Sequence, residues 1–172
     1  MKMKQLAFLC LIFTQVAQAQ STISIGPDLG LASHKSGAST GIGGSLEYTA
    51  MISHGLAFRA FCGYTHFNAK YGNTEFSMAP FRAGLQANLG ETFLVYGEAG
   101  ISTVHTAAAR DNSGFTYALG GGYRVPFTDD KRFVQVSAFY SSVRFDRSYN
   151  FHWIDIRLAY GLKWGKNKRP HQ

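Results

Sequence analysis

Apolar and polar residues alternate with a period of two along most of this chain, most clearly from Ile154 to Trp164. Every second residue of that run is large and apolar, and the residues between them are small or charged. Successive side chains of a β-strand point to opposite faces of a sheet, whereas a helix would scatter these groups around its surface. The run therefore predicts a strand with one apolar face and one polar face.

Seven earlier runs show the same alternation, although Phe61 breaks it and Leu94 and Tyr96 are large for the polar face on which they fall. The eight predicted strands span residues 22–32, 41–52, 56–67, 76–88, 93–103, 115–125, 133–142 and 154–164. Strands in this order, joined by hairpins, predict an antiparallel up-and-down sheet, and closure into a barrel removes its exposed edges. We predict a single all-β domain, an eight-stranded barrel.

The length of the strands indicates which solvent the apolar faces meet. A strand of roughly 10 residues tilted at about 45° crosses the ~25 Å apolar band of an outer-membrane barrel, and aromatic residues are expected where it leaves that band. Tyr160 and Trp164 lie at such positions near the end of the last run. We therefore predict a transmembrane barrel with these two aromatic side chains at the membrane interface.

The N-terminal residues have the pattern of an export signal. Lys2 and Lys4 precede an apolar run over residues 6–13, and Ala17-Gln18-Ala19 supplies the small residues of a cleavage site. The apolar run is shorter than the about 20 residues that a membrane-spanning helix needs. We predict a signal peptide over residues 1–19, a barrel over residues 20–164 and a short basic periplasmic tail over residues 165–172.

Cleavage would change both the net charge and the cysteine count. The signal peptide carries two of the 17 lysines and arginines, so the formal net charge falls from +7 to +5. Part of the basicity therefore serves targeting, and we expect no nucleic-acid partner. Cys62 is the one cysteine left of two, so no internal disulfide can form in the oxidising compartment.

The polar faces of the predicted strands carry four acids and five bases that would lie inside a membrane barrel. They are Asp28, Glu47, Arg59, Arg82, Glu98, Arg124, Asp155, Arg157 and Lys163. Charges taken out of water are costly unless they are paired, so we predict an ion-pair network in the lumen. An eight-stranded barrel is only wide enough for its own side chains, which predicts a filled lumen without an open pore. A gated ion or proton path is the alternative.

Two ion pairs can be predicted from the hairpins. Arg82 and Glu98 are equidistant from Gly90, and Glu47 and Arg59 are equidistant from the centre of the preceding hairpin at Ser53. Residues placed in this way should face each other across neighbouring strands.

With both termini in the periplasm, the connections near residues 33–40, 68–75, 104–114 and 143–150 would face outside. Their charged residues are Lys35, Lys70, Arg110, Arg144 and Arg147 against Glu75, Asp111 and Asp146. This positive excess could meet lipopolysaccharide phosphates, although solvated loops are the default. A histidine lies at or near each connection, namely His34, His66, His105 and His152. No regular spacing relates these histidines, so we expect no metal site and no cofactor.

The chain resembles the small eight-stranded outer-membrane barrels, the class of the OmpA transmembrane domain and OmpX. The resemblance is based on the signal peptide, the eight runs, the charged inner face and the segment from Gly161 to Trp164, a glycine followed three residues later by an aromatic residue as in the assembly signal of that class. The Gln20 start and the glycine-rich strands are similar to outer-membrane barrels of the Bacteroidetes type. The basic tail departs from the class, in which the chain usually stops at the aromatic residue.

The resemblance implies residence in the bacterial outer membrane, insertion by the barrel-assembly machinery, and contact with outer-membrane lipid and lipopolysaccharide. We expect a monomer with a structural or surface-interaction role, in envelope integrity or adhesion, and no enzymatic activity. Two alternatives are a lipid A-modifying enzyme that uses Asp146, Ser148 and His152, and a soluble lipocalin-like barrel whose apolar faces point inward. The Gly-X-Trp that marks the first lipocalin strand is absent, and proximity in sequence does not establish a catalytic triad.

Overall fold

Eight antiparallel strands form a closed barrel in which each strand pairs with the next and β8 pairs with β1. The structure, a computed structural model, describes residues 20–33, 38–53, 55–69, 75–106, 109–129, 131–146 and 149–165, and for residues 38, 39, 69, 109–111, 146 and 149 only the backbone. The strands are β1 Ser21–Ala32, β2 Ala38–Ser53, β3 Leu56–Ala69, β4 Phe76–Leu89, β5 Phe93–Thr106, β6 Ala109–Pro126, β7 Arg132–Asp146 and β8 Tyr149–Trp164. Across these ranges no helix has the length and apolar character of a membrane span.

The two faces of every strand have the orientation that the alternation predicts. Large apolar side chains point outward and are exposed, as Leu158 is at 53%, while its neighbour Ala159 points into the lumen and is 1% exposed. Phe61, Leu94 and Tyr96 follow the same alternation, because they point inward and are buried. The all-β barrel is confirmed. The soluble alternative is wrong, since it required the apolar faces to point inward.

The strands extend further than the sequence indicated at one end of the barrel, which we call the loop end. It carries the β1–β2, β3–β4, β5–β6 and β7–β8 connections. The predicted connections at residues 104–114 and 143–150 are largely strand, with Val104 opposite Asn112 and Arg144 opposite Asn150. The outward face of a strand becomes polar once it leaves the apolar band, as at His105, Arg144 and Asn150, so the alternation that reveals a strand disappears there while backbone pairing continues.

Tight turns join the strands at the opposite end, which we call the terminal end because both ends of the described chain lie there. Gly55 and Gly90 have φ values of 102° and 75°, a left-handed conformation that favours glycine. In the β6–β7 turn, the Asp129 carboxylate accepts hydrogen bonds from the backbone N–H groups of Lys131 and Arg132 at 3.3 and 3.2 Å. Slight desolvation opposes ionisation there, but hydrogen bonds from Arg132 and Lys131 outweigh it and lower the pKa of Asp129.

These turns place the pairing register two residues away from the one that the hairpin arithmetic predicts. Arg82 lies opposite Gly100 rather than Glu98, and Glu47 lies opposite Phe61 rather than Arg59. The hairpins are centred one residue later than the arithmetic assumed, which moves each partner by two positions. Each predicted pair is therefore a diagonal pair, still within reach of long side chains.

The orientation of β8 predicts different tolerance at adjacent positions. Leu158→Arg should destabilise the inserted barrel by roughly 2 to 4 kcal/mol if it lies near the bilayer midplane, because it places a charge against lipid. Ala159→Ser, which points into the lumen, should cost about 1 kcal/mol or less. Urea unfolding of the reconstituted barrel measures both, and equal tolerance at the two positions would contradict the assignment of the faces.

Candidate functional site

Side chains from all eight strands are buried inside the barrel, and they form three groups along its axis. We call the group at the loop end the aromatic cluster, the middle group the charge network and the group at the terminal end the terminal layer. The aromatic cluster comprises Phe67, Phe76, Met78, Val143, Phe151 and Trp153. The charge network comprises Asp28, Glu47, Arg59, Arg82, Glu98, Asp155 and Arg157, and the terminal layer comprises Gln86, Arg124, Phe133 and Gln135.

The aromatic cluster packs rings from three strands, β3, β4 and β8, across the lumen. The Phe67 ring stacks on Phe76 with centroids 5.2 Å apart and meets Phe151 edge to face at 5.2 Å. Trp153 approaches Phe67 edge to face at 6.1 Å. Aromatic rings prefer these offset and edge-to-face arrangements. The loop end of the lumen is therefore apolar.

Glycines on neighbouring strands leave room for the Phe67 ring. A Cβ atom at Gly41 would lie 2.8 Å from the ring, and one at Gly30 would lie 3.0 Å from it. Both distances are shorter than ordinary contacts between carbon atoms, which are about 3.5 to 4.0 Å. The inward-facing glycines of β1 and β2 therefore form the surface on which this ring rests.

Glu47 lies between two arginines in the charge network. Its Oε2 atom is 2.5 Å from Arg157 Nη1 and 3.0 Å from Arg59 Nη2, and all three side chains are fully buried. Thr49 donates a hydrogen bond of 3.2 Å to Glu47 Oε1. Arg157 also contacts Asp28, with Nε 3.6 Å from Oδ1. Sharing one carboxylate between two guanidinium groups offsets the cost of removing these charges from water.

Glu98 extends the network towards the loop end. Arg59 Nε donates to Glu98 Oε1, and Arg82 Nε lies 3.2 Å from Glu98 Oε2. Arg82 Nη1 then donates to Ser141 Oγ at 2.9 Å. A continuous chain of ion pairs thus runs from Asp28 on β1 to Arg82 on β4. It includes the pairs Glu47–Arg59 and Arg82–Glu98, both reached diagonally.

Aromatic faces lie against the arginines of the network. The Arg59 guanidinium lies 3.7 Å from the centroid of the Tyr96 ring, and that of Arg82 lies 4.4 Å from the Phe61 ring. Cations are attracted to the negative face of an aromatic ring, most strongly where water is excluded. This explains why Phe61 and Tyr96, which seemed too large for a polar face, point into the lumen.

Three of the nine predicted lumen charges lie outside the ion-pair chain. Asp155 accepts hydrogen bonds from Trp153 Nε1 at 2.5 Å and Ser141 Oγ at 3.3 Å. Arg124 donates to Gln135 Oε1 at 3.0 Å and covers the Phe133 ring at 4.3 Å. Among the described side chains, neither Asp155 nor Arg124 has an opposite charge within 4.0 Å.

Lys163 continues the inward row of β8 to the terminal end, where it is half-buried. The two predicted interface aromatics, Tyr160 and Trp164, point outward and are exposed. The Tyr160 ring centroid is 6.3 Å from that of Phe127, and the Trp164 ring centroid is 6.2 Å from that of Tyr48. An outward aromatic belt, formed by these ring pairs, therefore lies at the terminal end, and the interface position of Tyr160 and Trp164 stays a prediction.

Sequence reasoning missed the aromatic cluster. Val143, Phe151 and Trp153 lie just beyond the ends of the predicted strands, where large apolar residues occur at consecutive odd and even positions. The signal that could have revealed them is parity, because residues 151 and 153 continue the inward row of Asp155 and Arg157. Extending that row back from Asp155 to Trp153 and Phe151 would have placed these aromatic rings inside the barrel.

The described histidines do not converge. His66, His105 and His152 belong to outward-facing rows, and no group of three metal-ligating side chains occurs within the described ranges. His66 Nδ1 lies 3.0 Å from Ser77 Oγ, and His152 Nδ1 lies 2.8 Å from the Tyr140 hydroxyl. His34 and Ser148 fall outside the described residues, as do the side chain of Asp146 and most of the predicted loop charges.

A glycine of β8 provides a test of packing at the terminal end. A Cβ atom at Gly161 would lie 2.1 Å from Phe133 Cζ. Gly161→Ala should therefore cost about 1 to 3 kcal/mol through overpacking. Gly44→Ala is the matched control, because its Cβ would meet only a carbonyl oxygen at 3.5 Å, and its effect should stay within about 0.5 kcal/mol. Urea unfolding in detergent compares them, and an equal loss would argue against the Phe133 contact.

The charge network predicts that its carboxylates differ in importance. Glu98→Gln leaves Arg59 and Arg82 buried without their shared counter-charge and should cost about 3 to 5 kcal/mol. Asp155→Asn keeps an acceptor for Trp153 and removes no ion pair, so its cost should be about 1 kcal/mol or less. The unfolding midpoints of the two variants compare these two losses of stability. A larger loss for Asp155→Asn would mean that the ion pairs of the structure do not rank the carboxylates by importance.

Comparison with known proteins agrees with this geometry. The chain matches the family described as outer membrane protein beta-barrel domain over residues 6–166. No curated protein sequence matches it significantly. Its fold is similar to that of Ail, the attachment invasion locus protein of Yersinia pestis, with 16% identity, 86% of this chain and 99% of that chain covered, and a TM-score of 0.61.

Two further solved structures have the same fold. Neisserial surface protein A (NspA) shares 14% identity over 84% of this chain and 97% of that chain, with a TM-score of 0.59. The N-terminal β-barrel domain of OprF from Pseudomonas aeruginosa shares 13% identity over 86% of this chain and 100% of that chain, with a TM-score of 0.51. At such identities the likeness concerns the fold alone. The family match, together with the closed barrel and its apolar outer wall, shows that this chain belongs to the outer membrane protein beta-barrel domain family and resides in the bacterial outer membrane.

Proposed function

We propose that this protein is a non-conducting, non-catalytic barrel that contributes to envelope integrity or to surface contacts such as adhesion. The observation that carries the proposal is the burial of side chains along the whole lumen. The aromatic cluster occupies the loop end, the charge network the middle and the terminal layer the other end. An eight-stranded barrel is only wide enough to be filled by its own side chains.

The charge network favours a static lumen over a gated path. Each of Glu47 and Glu98 is shared by two arginines, so opening a path would separate several buried ion pairs together. Separating one buried pair already costs about 3 to 5 kcal/mol. Apolar rings at the loop end add a further barrier to ion passage, because an ion would lose its hydration water there without gaining a polar or charged contact.

The loop end supports a role in surface contact. Its strands continue past the apolar band, and the connections there carry five bases against three acids in the sequence. Ail is an attachment invasion locus protein, and it has been crystallised in complex with the heparin analogue sucrose octasulfate. By analogy of fold and charge, we propose that the loops of this chain contact anionic saccharides, including lipopolysaccharide, on a monomeric barrel.

The processing and assembly of the chain follow from the same proposal. Residues 1–19 are removed as a signal peptide, residues 20–164 form the barrel, and residues 165–172 form a short basic tail in the periplasm. Insertion by the barrel-assembly machinery uses the end of β8, from Gly161 to Trp164. The terminal end then faces the periplasm and the loop end faces outside, as in barrels with short periplasmic turns.

The lipid A-modifying alternative receives little support from His152. Its Nδ1 atom lies 2.8 Å from the Tyr140 hydroxyl, and the two rings stack 5.8 Å apart at 16°. This arrangement fixes the imidazole to the outer wall of the barrel. A general base instead needs to reach the proton of its nucleophile at hydrogen-bond distance.

Conductance measurements test the proposed function. The purified barrel in a planar bilayer should show no sustained ionic current, because side chains occupy the lumen. Replacing Phe67, Phe151 and Trp153 by alanine should leave the charge network as the remaining barrier and allow at most brief openings. A steady current through the unaltered protein would refute the closed lumen.

Lipid A provides the control for the absence of catalysis. Its mass spectrum should be the same with and without the gene, and deletion should instead reduce adhesion or increase sensitivity to detergent. A mass change that Ser148→Ala or His152→Ala abolishes would show that the protein is an enzyme.

A further inference from the structure

Basic residues at the terminal end are concentrated at one corner of the barrel. Lys131 and Arg132 lie at the start of β7 and Lys163 lies near the end of β8, and a backbone hydrogen bond of 2.6 Å from Lys163 to Lys131 joins these segments. By contrast, the β2–β3 and β4–β5 turns contain neither lysine nor arginine. Positive charge at this end is therefore one-sided.

Sequence adds to this asymmetry. The turn over residues 128–132 and the end of the chain from residue 163 contain six bases, Lys131, Arg132, Lys163, Lys166, Lys168 and Arg169, against two acids, Asp129 and Asp130. Asp130 and the residues after 165 lie outside the described residues, within which this corner contains Lys131, Arg132 and Lys163 against Asp129. Their formal charges leave a positive excess.

Arg132 points outward at this corner and lies among aromatic residues. Its guanidinium carbon is 5.9 Å from the centroid of the Phe127 ring, and that ring lies 6.3 Å from Tyr160. Aromatic side chains of this kind sit at the level of the lipid headgroups in membrane proteins. The cation is therefore held where the phosphates of the bilayer lie.

Asp129 orients the Arg132 guanidinium through its Nε edge and leaves the other N–H donors of that group for a further ligand. The carboxylate binds the Nε edge at 2.6 Å and also accepts the backbone N–H groups of Lys131 and Arg132. Arginine carries about five N–H donors in a planar fork that matches phosphate oxygens. A side chain fixed through Nε, half-exposed and beside two aromatic rings, is arranged for a second anion.

We propose that this corner, formed by Phe127, Lys131, Arg132, Tyr160 and Lys163, binds the phosphate of an anionic phospholipid in the periplasmic leaflet. Arg132 and Tyr160 contact the phosphate, and the two lysines supply the field that favours a headgroup with net negative charge. A polybasic segment near a membrane surface gains about 1 kcal/mol per lysine or arginine, or roughly fivefold in affinity. The proposal rests on residence in the outer membrane and on the proposed periplasmic orientation of the terminal end, and it does not depend on the proposed surface role.

Quenching of Trp164 tests the proposal, because this residue is exposed at the same end. The processed barrel is reconstituted in phosphatidylcholine vesicles that contain a small fraction of brominated phosphatidylglycerol or, separately, of brominated phosphatidylcholine. Brominated phosphatidylglycerol should quench more strongly at equal mole fraction. A Trp153→Phe variant removes the other tryptophan, which lies in the aromatic cluster.

Charge variants identify the corner. Lys131→Gln combined with Arg132→Gln should reduce the preference for phosphatidylglycerol by roughly fivefold or more, whereas Arg144→Gln at the loop end is the matched control and should retain it. Equal quenching by both lipids in the unaltered protein, or an unchanged preference in the double variant, would overturn the proposal. Native mass spectrometry of bound phosphatidylglycerol gives an independent count.

Two further arms complete the test. Inorganic phosphate should lower the preference no more than chloride at equal ionic strength, and specific displacement by phosphate would assign the corner to a soluble anion instead. If the double variant does not insert, the preference of the unaltered protein for phosphatidylglycerol is measured at raised ionic strength instead. The preference of the unaltered protein must then fall, because exposed charges are screened by salt, and a preference insensitive to salt would contradict the proposal.

Discussion

Sharing of buried carboxylates between arginines is the interaction on which the rest of the structure depends. The apolar faces of the strands must meet lipid, so every charged residue on the other face is directed into a narrow interior. Glu47 and Glu98 each bridge two arginines there, and these contacts link β2, β3, β4, β5 and β8 across the barrel. Without such sharing, desolvation would make the same residues destabilising.

Packing inside the barrel depends on complementarity between aromatic rings and glycines. Phe67 rests against Gly30 and Gly41, and Phe133 rests against Gly161. Each ring occupies space that a β-carbon would take from the neighbouring strand. The abundance of glycine therefore does not make the wall loose, because the missing side chains are replaced by rings from across the lumen. Phe133 also makes a cation–π contact, because the Arg124 guanidinium lies 4.3 Å from its ring centroid.

The two ends of the barrel differ in chemistry, although one alternating pattern builds both. Long strands and the buried aromatic cluster characterise the loop end, whereas tight turns, an outward aromatic belt and a one-sided set of bases characterise the terminal end. This difference suits a protein whose two ends meet different surroundings, saccharide and solvent at the loop end and phospholipid headgroups at the terminal end, as proposed above.

The sequence by itself determined the number of strands and the face that each residue occupies, because a period of two leaves one choice of face per strand. It also determined the membrane as the surrounding solvent, because the strand length matches the apolar band of an outer-membrane barrel. The tertiary structure decided the register, since it depends on where each turn is centred, and so Arg82 meets Glu98 diagonally. It also decided which charges pair, leaving Asp155 and Arg124 outside the ion-pair chain. Val143, Phe151 and Trp153 of the aromatic cluster escaped sequence analysis because they lie where strands outlast the apolar band and only backbone pairing reveals them.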